Sequence, residues 1–130
     1  MTLRCVLLLA ALLPMGGAAL AADDSLQKPL YDVCRQQDAG WIGKGEQEIK
    51  TNCTCKAKSE SAMATPAFRD SLLKNGVYDP LLIGDPDKYM ARVLKDCPAL
   101  QQRMIDAMCK DPAAPPDACA AVKDMISKLK

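Results

Sequence analysis

Histidine is absent from this 130-residue chain. With it go the commonest general base, the commonest zinc ligand and every Ser-His-Asp or Cys-His arrangement, so catalysis loses most of its usual players. Large aromatics are scarce too: one Phe, one Trp and three Tyr. Long apolar runs are missing. The longest, Cys5 to Leu13, covers nine residues where a membrane-crossing helix wants about 20, and Pro14 with Gly16 and Gly17 interrupts it. No segment alternates apolar and polar residues long enough for a half-buried strand. Concentrated positive charge is lacking as well, which speaks against nucleic acid and anionic membranes as partners.

What is present is cysteine, seven in all. Residues 1–21 carry the marks of a secretory signal peptide: Arg4 before the apolar run and Ala19-Leu20-Ala21 as a small-x-small cleavage site. Its Ala- and Leu-rich composition is of a bacterial kind, so the expected location is the periplasm, or the exterior for a secreted protein. Cleavage would remove Arg4 and Cys5, leaving 16 basic against 16 acidic side chains and an even six cysteines. An even count in a short exported chain predicts a disulfide framework of Cys34, Cys53, Cys55, Cys97, Cys109 and Cys119. Residues 22–130 then form one domain, on the usual scale of roughly 100 to 200 residues.

Helix signals run through that domain and predict an all-α fold, a small disulfide-stapled bundle of five to six helices. Pro29 suits a first helical turn, and Leu30, Val33, Cys34 and Gln37 follow at helical spacing. Gly40 to Gly45 is a glycine-punctuated link. A second helix is expected from Glu46 to Ala62, with Ile49, Cys53 and Ala57 on one buried stripe and Cys55 with Ala62 on another. Thr65-Pro66 caps a short third helix with Phe68, Leu72 and Leu73 inward, ended by Asn75-Gly76. Asp85-Pro86 opens a fourth, whose Tyr89, Met90, Val93, Leu94 and Cys97 keep an i, i+3, i+4 pattern. Leu100, Met104, Ile105 and Met108 mark the fifth. A proline-rich turn, Asp111 to Pro116, leads into a sixth starting near Asp117.

That turn should bring Cys109 against Cys119, since a bridge needs Cα atoms roughly 4.4 to 6.8 Å apart. Cys34 and Cys97 would then join Cys53 and Cys55 in one order or the other. Successive cysteines from Cys34 are separated by 18, 1, 41, 11 and 9 residues, an order that loosely resembles the six-cysteine helical framework of insect odorant-binding proteins. That family places three residues between its second and third cysteines, where this chain has Thr54 alone. Its bridges interlock, and the resemblance implies no more than the idea of an apolar cavity.

No catalytic, cofactor or metal set emerges. Gly43-Lys44-Gly45 lacks the Ser or Thr of a phosphate loop, and Asp85-Pro86-Asp87 lacks the glycine and further oxygens of a calcium loop. Glu46, Glu48 and Glu60 are spaced like a solvated face. Cys53 and Cys55 beside Lys56 form the minor alternative of a redox dithiol or Cu(I) site, with Met63, Met104 and Met108 as soft auxiliary ligands; the last two are more simply core filler. Asn52-Cys53-Thr54 is a formal glycosylation sequon but a poor acceptor inside a helix.

A non-enzymatic module that binds a protein partner in the cell envelope is therefore expected, such as an accessory, inhibitor or immunity protein, without any cofactor. The candidate partner-binding residues are Trp41, Leu81, Leu82 and Ile83, each either packed on the core or exposed as an anchor. A carrier of a small apolar ligand, lined by the last three helices, is the alternative.

Overall fold

The structure is a computed structural model and describes residues 24–129. Six helices make it up: α1 (Asp24–Gln37), α2 (Glu46–Met63), α3 (Pro66–Asn75), α4 (Pro86–Asp96), α5 (Ala99–Lys110) and α6 (Ala118–Ser127), with a 3-10 turn at Pro80–Leu82. Among the described residues there is no strand, and no helix is long and apolar enough to cross a membrane. The proposed signal peptide lies outside the described residues.

The first helix begins earlier than proline placement suggested. Pro29 sits inside α1, past its first turn, so the helix forgoes the backbone bond that the Pro29 nitrogen would make. What holds the extra turn is burial: Leu26, Leu30 and Cys34, four residues apart, are all fully enclosed. Caps act where the sequence places them. The Thr65 side chain accepts from the Phe68 N–H at 3.1 Å, and Asp85 Oδ1 accepts from the Asp87 and Lys88 N–H groups at 2.9 and 3.0 Å. Gly76, at φ 66°, ends α3 in the left-handed conformation that a side chain would penalise.

Helix α2 is the inner member. It packs on α1 and α4, α3 also lies on α1, and α4 carries α5 and α6 on its far side. Two clusters fill the interior. The larger gathers Cys34, Ile42, Cys53, Tyr89, Val93, Leu94, Cys97, Leu100 and Met104, with Trp41, Met63 and Met108 packed partly against it. The smaller holds Leu26, Leu30, Ala57, Phe68 and Leu72, and Phe68 meets Tyr78 edge-on with ring centroids 5.9 Å apart. Two expected inward residues face out instead: Ala62 on α2 and Leu73 on α3 are exposed.

The bridges are Cys34–Cys53, Cys55–Cys97 and Cys109–Cys119, with Cα separations of 5.6, 5.9 and 4.7 Å. They join neighbours along the chain without interlocking, unlike the framework the cysteine spacing resembles.

The link before α2 is set by close approach. A Cβ on Gly43 would come within 2.7 Å of the Ile49 nitrogen and 2.9 Å of the Glu48 carbonyl carbon, both backbone, whereas one on Gly40 would meet nothing within 4 Å. Gly43→Ala should therefore lower unfolding stability by about 1–3 kcal/mol, the usual range for forced overpacking. Gly40→Ala should be nearly neutral. Urea titrations of the two variants against the parent check this, and equal losses would contradict it.

Candidate interaction surface and buried polar centre

Three of the five charged or amide side chains between Lys50 and Glu60 of α2 turn inward. Asn52, Lys56 and Glu60 are buried, as are Ser59 and Ser61. Buried polar groups need partners, and most of these have them. Asn52 Nδ2 donates to the Ile42 carbonyl at 2.6 Å, which pins the glycine-rich link and also occupies the amide a glycosylation sequon would need. Ser59 Oγ reaches Asp96 at 2.8 Å on the last turn of α4.

Glu60 is the correction to the solvated-face expectation: its side chain is 0% exposed. Glu60 Oε1 accepts from Lys56 Nζ at 2.7 Å, from the Tyr78 hydroxyl at 2.6 Å and from the Tyr89 hydroxyl. Lys56 Nζ also lies 3.2 Å from Asp38 Oδ2 and stands over the Tyr78 ring, 5.4 Å from its centroid. Asp38 in turn accepts from Trp41 Nε1 at 3.0 Å. A continuous polar path thus runs from Trp41 through Asp38, Lys56 and Glu60 to Tyr78 and Tyr89. Glu60 Oε2, also buried, has no partner along it.

Electrostatics follow from that enclosure. Burial alone would lower the Lys56 pKa, but the Glu60 charge, Tyr78 and Asp38 outweigh it and hold the amine above its ordinary range. Lys56 is consequently an ammonium ion at neutral pH, unavailable as an amine nucleophile. Burial and the Glu60 charge push the Tyr78 phenol up to about 12 and the Tyr89 phenol further in the same direction.

The expected partner-binding residues separate into two places. Trp41 is half-buried: it packs on the larger cluster, is tied to Asp38, and shares an open cleft of about 410 Å³ with Arg103, Asp106 and Lys110 of α5. Ile83 is half-buried and packs against both clusters. Leu81 and Leu82 point outward, 66% and 37% exposed. Two residues that sequence reasoning did not include accompany them, Leu73 at 42% and Val77 at 52%.

All four lie on α3 or on the link that follows it. Val77 folds back on α3, its N–H donating to the Ser71 carbonyl at 3.0 Å and its carbonyl accepting from Ser71 Oγ at 2.9 Å. The link then runs back towards the start of the same helix, where Thr65 Oγ1 donates to the Leu82 carbonyl at 2.6 Å. Exposed aliphatic side chains therefore occur both on α3 and on the segment that returns along it. On the other side of α4, a cleft of about 470 Å³ opens between α4 and α6 over Ala91, Ala121, Met125 and Leu129, rimmed by Asp87, Lys88, Asp124 and Lys128.

Cys53 and Cys55 leave α2 toward different neighbours, α1 and the end of α4, so their sulfurs face two separate bridges and not a shared ion. Met104 is buried, and Met63 and Met108 are partly buried against the larger cluster.

The raised phenol and ammonium values give a signed expectation. A group whose folded pKa is raised supports the fold fully below its unfolded value, near 10 for Tyr and 10.4 for Lys, and loses that support as pH climbs through the folded value. Stability should therefore be level with respect to these groups up to about pH 10 and fall between about 10 and 12. Phenolate absorbance from Tyr78 and Tyr89 should rise together with loss of helical circular dichroism. Ionisation of both, well before any unfolding, would refute the enclosure described here; Tyr78→Phe and Tyr89→Phe assign the signals.

No protein-family model matches this chain, and comparison with curated proteins and with solved structures found no match.

Proposed function

We propose that the chain is an exported, non-enzymatic helical module that binds a protein partner in the cell envelope, with Leu73, Val77, Leu81 and Leu82 as part of its docking surface. The observation that carries this reading is their exposure. Four large aliphatic side chains stand out on α3 and the link after it, while the other large apolar residues among those described are buried or partly covered. Burial of such side chains against a partner is worth about 1.5–3 kcal/mol each when complete. Three disulfides fit an oxidising compartment, and the periplasm is the one favoured by the composition of residues 1–21. The stapled scaffold suits an accessory, inhibitor or immunity role, because a preformed surface loses little freedom on binding.

Capture of a partner from envelope extract by the tagged mature protein should be abolished by Val77→Asp/Leu81→Asp. Both positions are solvent-facing, so stability should stay within about 0.5 kcal/mol of the parent per substitution. Unchanged capture by the folded variant would remove these residues from this reading.

A second reading, carriage of a small apolar ligand, is favoured by the cleft between α4 and α6 with its Ala91, Ala121, Met125 and Leu129 floor. A fluorescent fatty-acid probe should then bind and be displaced by Ala91→Trp. Absence of uptake at micromolar probe would end this alternative.

A further inference from the structure

The three bridges differ in what surrounds them. Cys34 and Cys53 are fully enclosed, and Cys97 is enclosed beside a half-buried Cys55. Cys109 is exposed and Cys119 only half-buried.

Helix α6 is held in a correspondingly different way. None of its residues is buried. Val122, Met125 and Ile126, with Leu129 just beyond, are partly covered where α6 lies on α5 and α4. Its side-chain polar contacts close on themselves: Ser127 Oγ donates to the Asp124 carbonyl, and Lys128 Nζ pairs with Asp124 Oδ2 at 2.6 Å. Among the described residues, no hydrogen bond or ion pair ties an α6 side chain to another helix. A turn containing Pro112, Pro115 and Pro116 joins it to α5. One covalent bond and a set of half-covered apolar contacts therefore keep α6 in place.

We propose that Cys109–Cys119 is a latch that a dithiol reductant can open while the other two bridges stay closed, releasing α6 from α4 and α5. Selectivity comes from access, since thiol–disulfide exchange needs the attacking sulfur to reach the bridge along its axis. The reductant's thiolate attacks Cys109 Sγ, and Cys119 leaves as a thiolate that takes up a proton. The reductant's second thiol, on giving up its own proton, attacks the mixed disulfide and expels Cys109, which is protonated in turn. Two electrons and two protons pass to the bridge, and the reductant departs as its own disulfide. With the bond open, α6 becomes the least anchored unit of the fold. Its Val122, Met125 and Ile126 face and the α4–α5 surface beneath are then uncovered, while α1, α2 and α4 remain stapled by Cys34–Cys53 and Cys55–Cys97. The latch does not depend on the docking residues, which lie on α3 and the link after it.

Stepwise dithiothreitol titration of the oxidised mature protein, quenched with iodoacetamide and mapped by peptide mass spectrometry, tests it together with hydrogen exchange on the singly reduced species. Cys109 and Cys119 should be alkylated first and as a pair. The α6 amides should then exchange faster by a factor on the order of ten or more, as the typical contribution of a cross-link implies, with α1 to α4 unchanged. Alkylation of Cys34, Cys53, Cys55 or Cys97 before or together with that pair overturns the proposal, as does an α6 equally protected before and after its bridge is cut. Cys109→Ser/Cys119→Ser should show fast α6 exchange with no reductant present. If that variant does not fold, the titration of the parent decides alone.

Discussion

Everything in this bundle turns on two cysteines set two residues apart on one helix. At 3.6 residues per turn that spacing rotates the second side chain by about 200° from the first. Cys53 and Cys55 consequently leave α2 on nearly opposite sides, one held by α1 and the other by the end of α4. A helix clasped from both flanks keeps one face for water, along Gln47, Thr51, Thr54, Lys58 and Ala62. The polar residues off that exposed face, Asn52, Lys56, Ser59 and Glu60, are buried with the clasped flanks.

Such enclosure must be compensated. An isolated charge in the interior costs far more than a domain's net stability of roughly 5–15 kcal/mol, so Lys56 and Glu60 persist only as a pair with further hydrogen bonds around them. Those bonds reach far along the chain: Asp38 comes from the end of α1, Tyr78 from the link after α3, and Tyr89 from α4. The polar centre is therefore also a meeting point of three segments, and Trp41 is oriented through Asp38 by the same chain of contacts. The apolar residues that the centre and cores cannot accommodate, Leu73, Val77, Leu81 and Leu82, are left exposed on α3 and the link after it.

Much of the architecture was legible because its signals are local. Thr65-Pro66, Asp85-Pro86 and Asn75-Gly76 are caps whose chemistry acts within one turn, and the prolines after Cys109 force its approach to Cys119. Other features escaped for the opposite reason. The start of α1 depends on Leu26 finding a pocket against other helices, which a proline rule does not register. Glu60 resembles a solvent-facing residue because the phenols that receive it lie 18 and 29 positions away. A Lys and a Glu four residues apart with tyrosines downstream hinted at the pairing, but the same spacing is commonplace on exposed helix surfaces. Leu81 and Ile83 divide between water and core inside one short apolar stretch, a partition that only the return path along α3 decides.

The order of the sulfur pairs has a consequence for biogenesis. Each described cysteine is joined to its immediate successor or predecessor, so no covalent loop encloses one half of another. Among Cys34 to Cys119, a polypeptide emerging amino end first into an oxidising space would present each correct mate before any wrong one arrives. Linking thiols simply in order of appearance already yields the native set, and reshuffling of mispaired sulfurs need play no part in maturation.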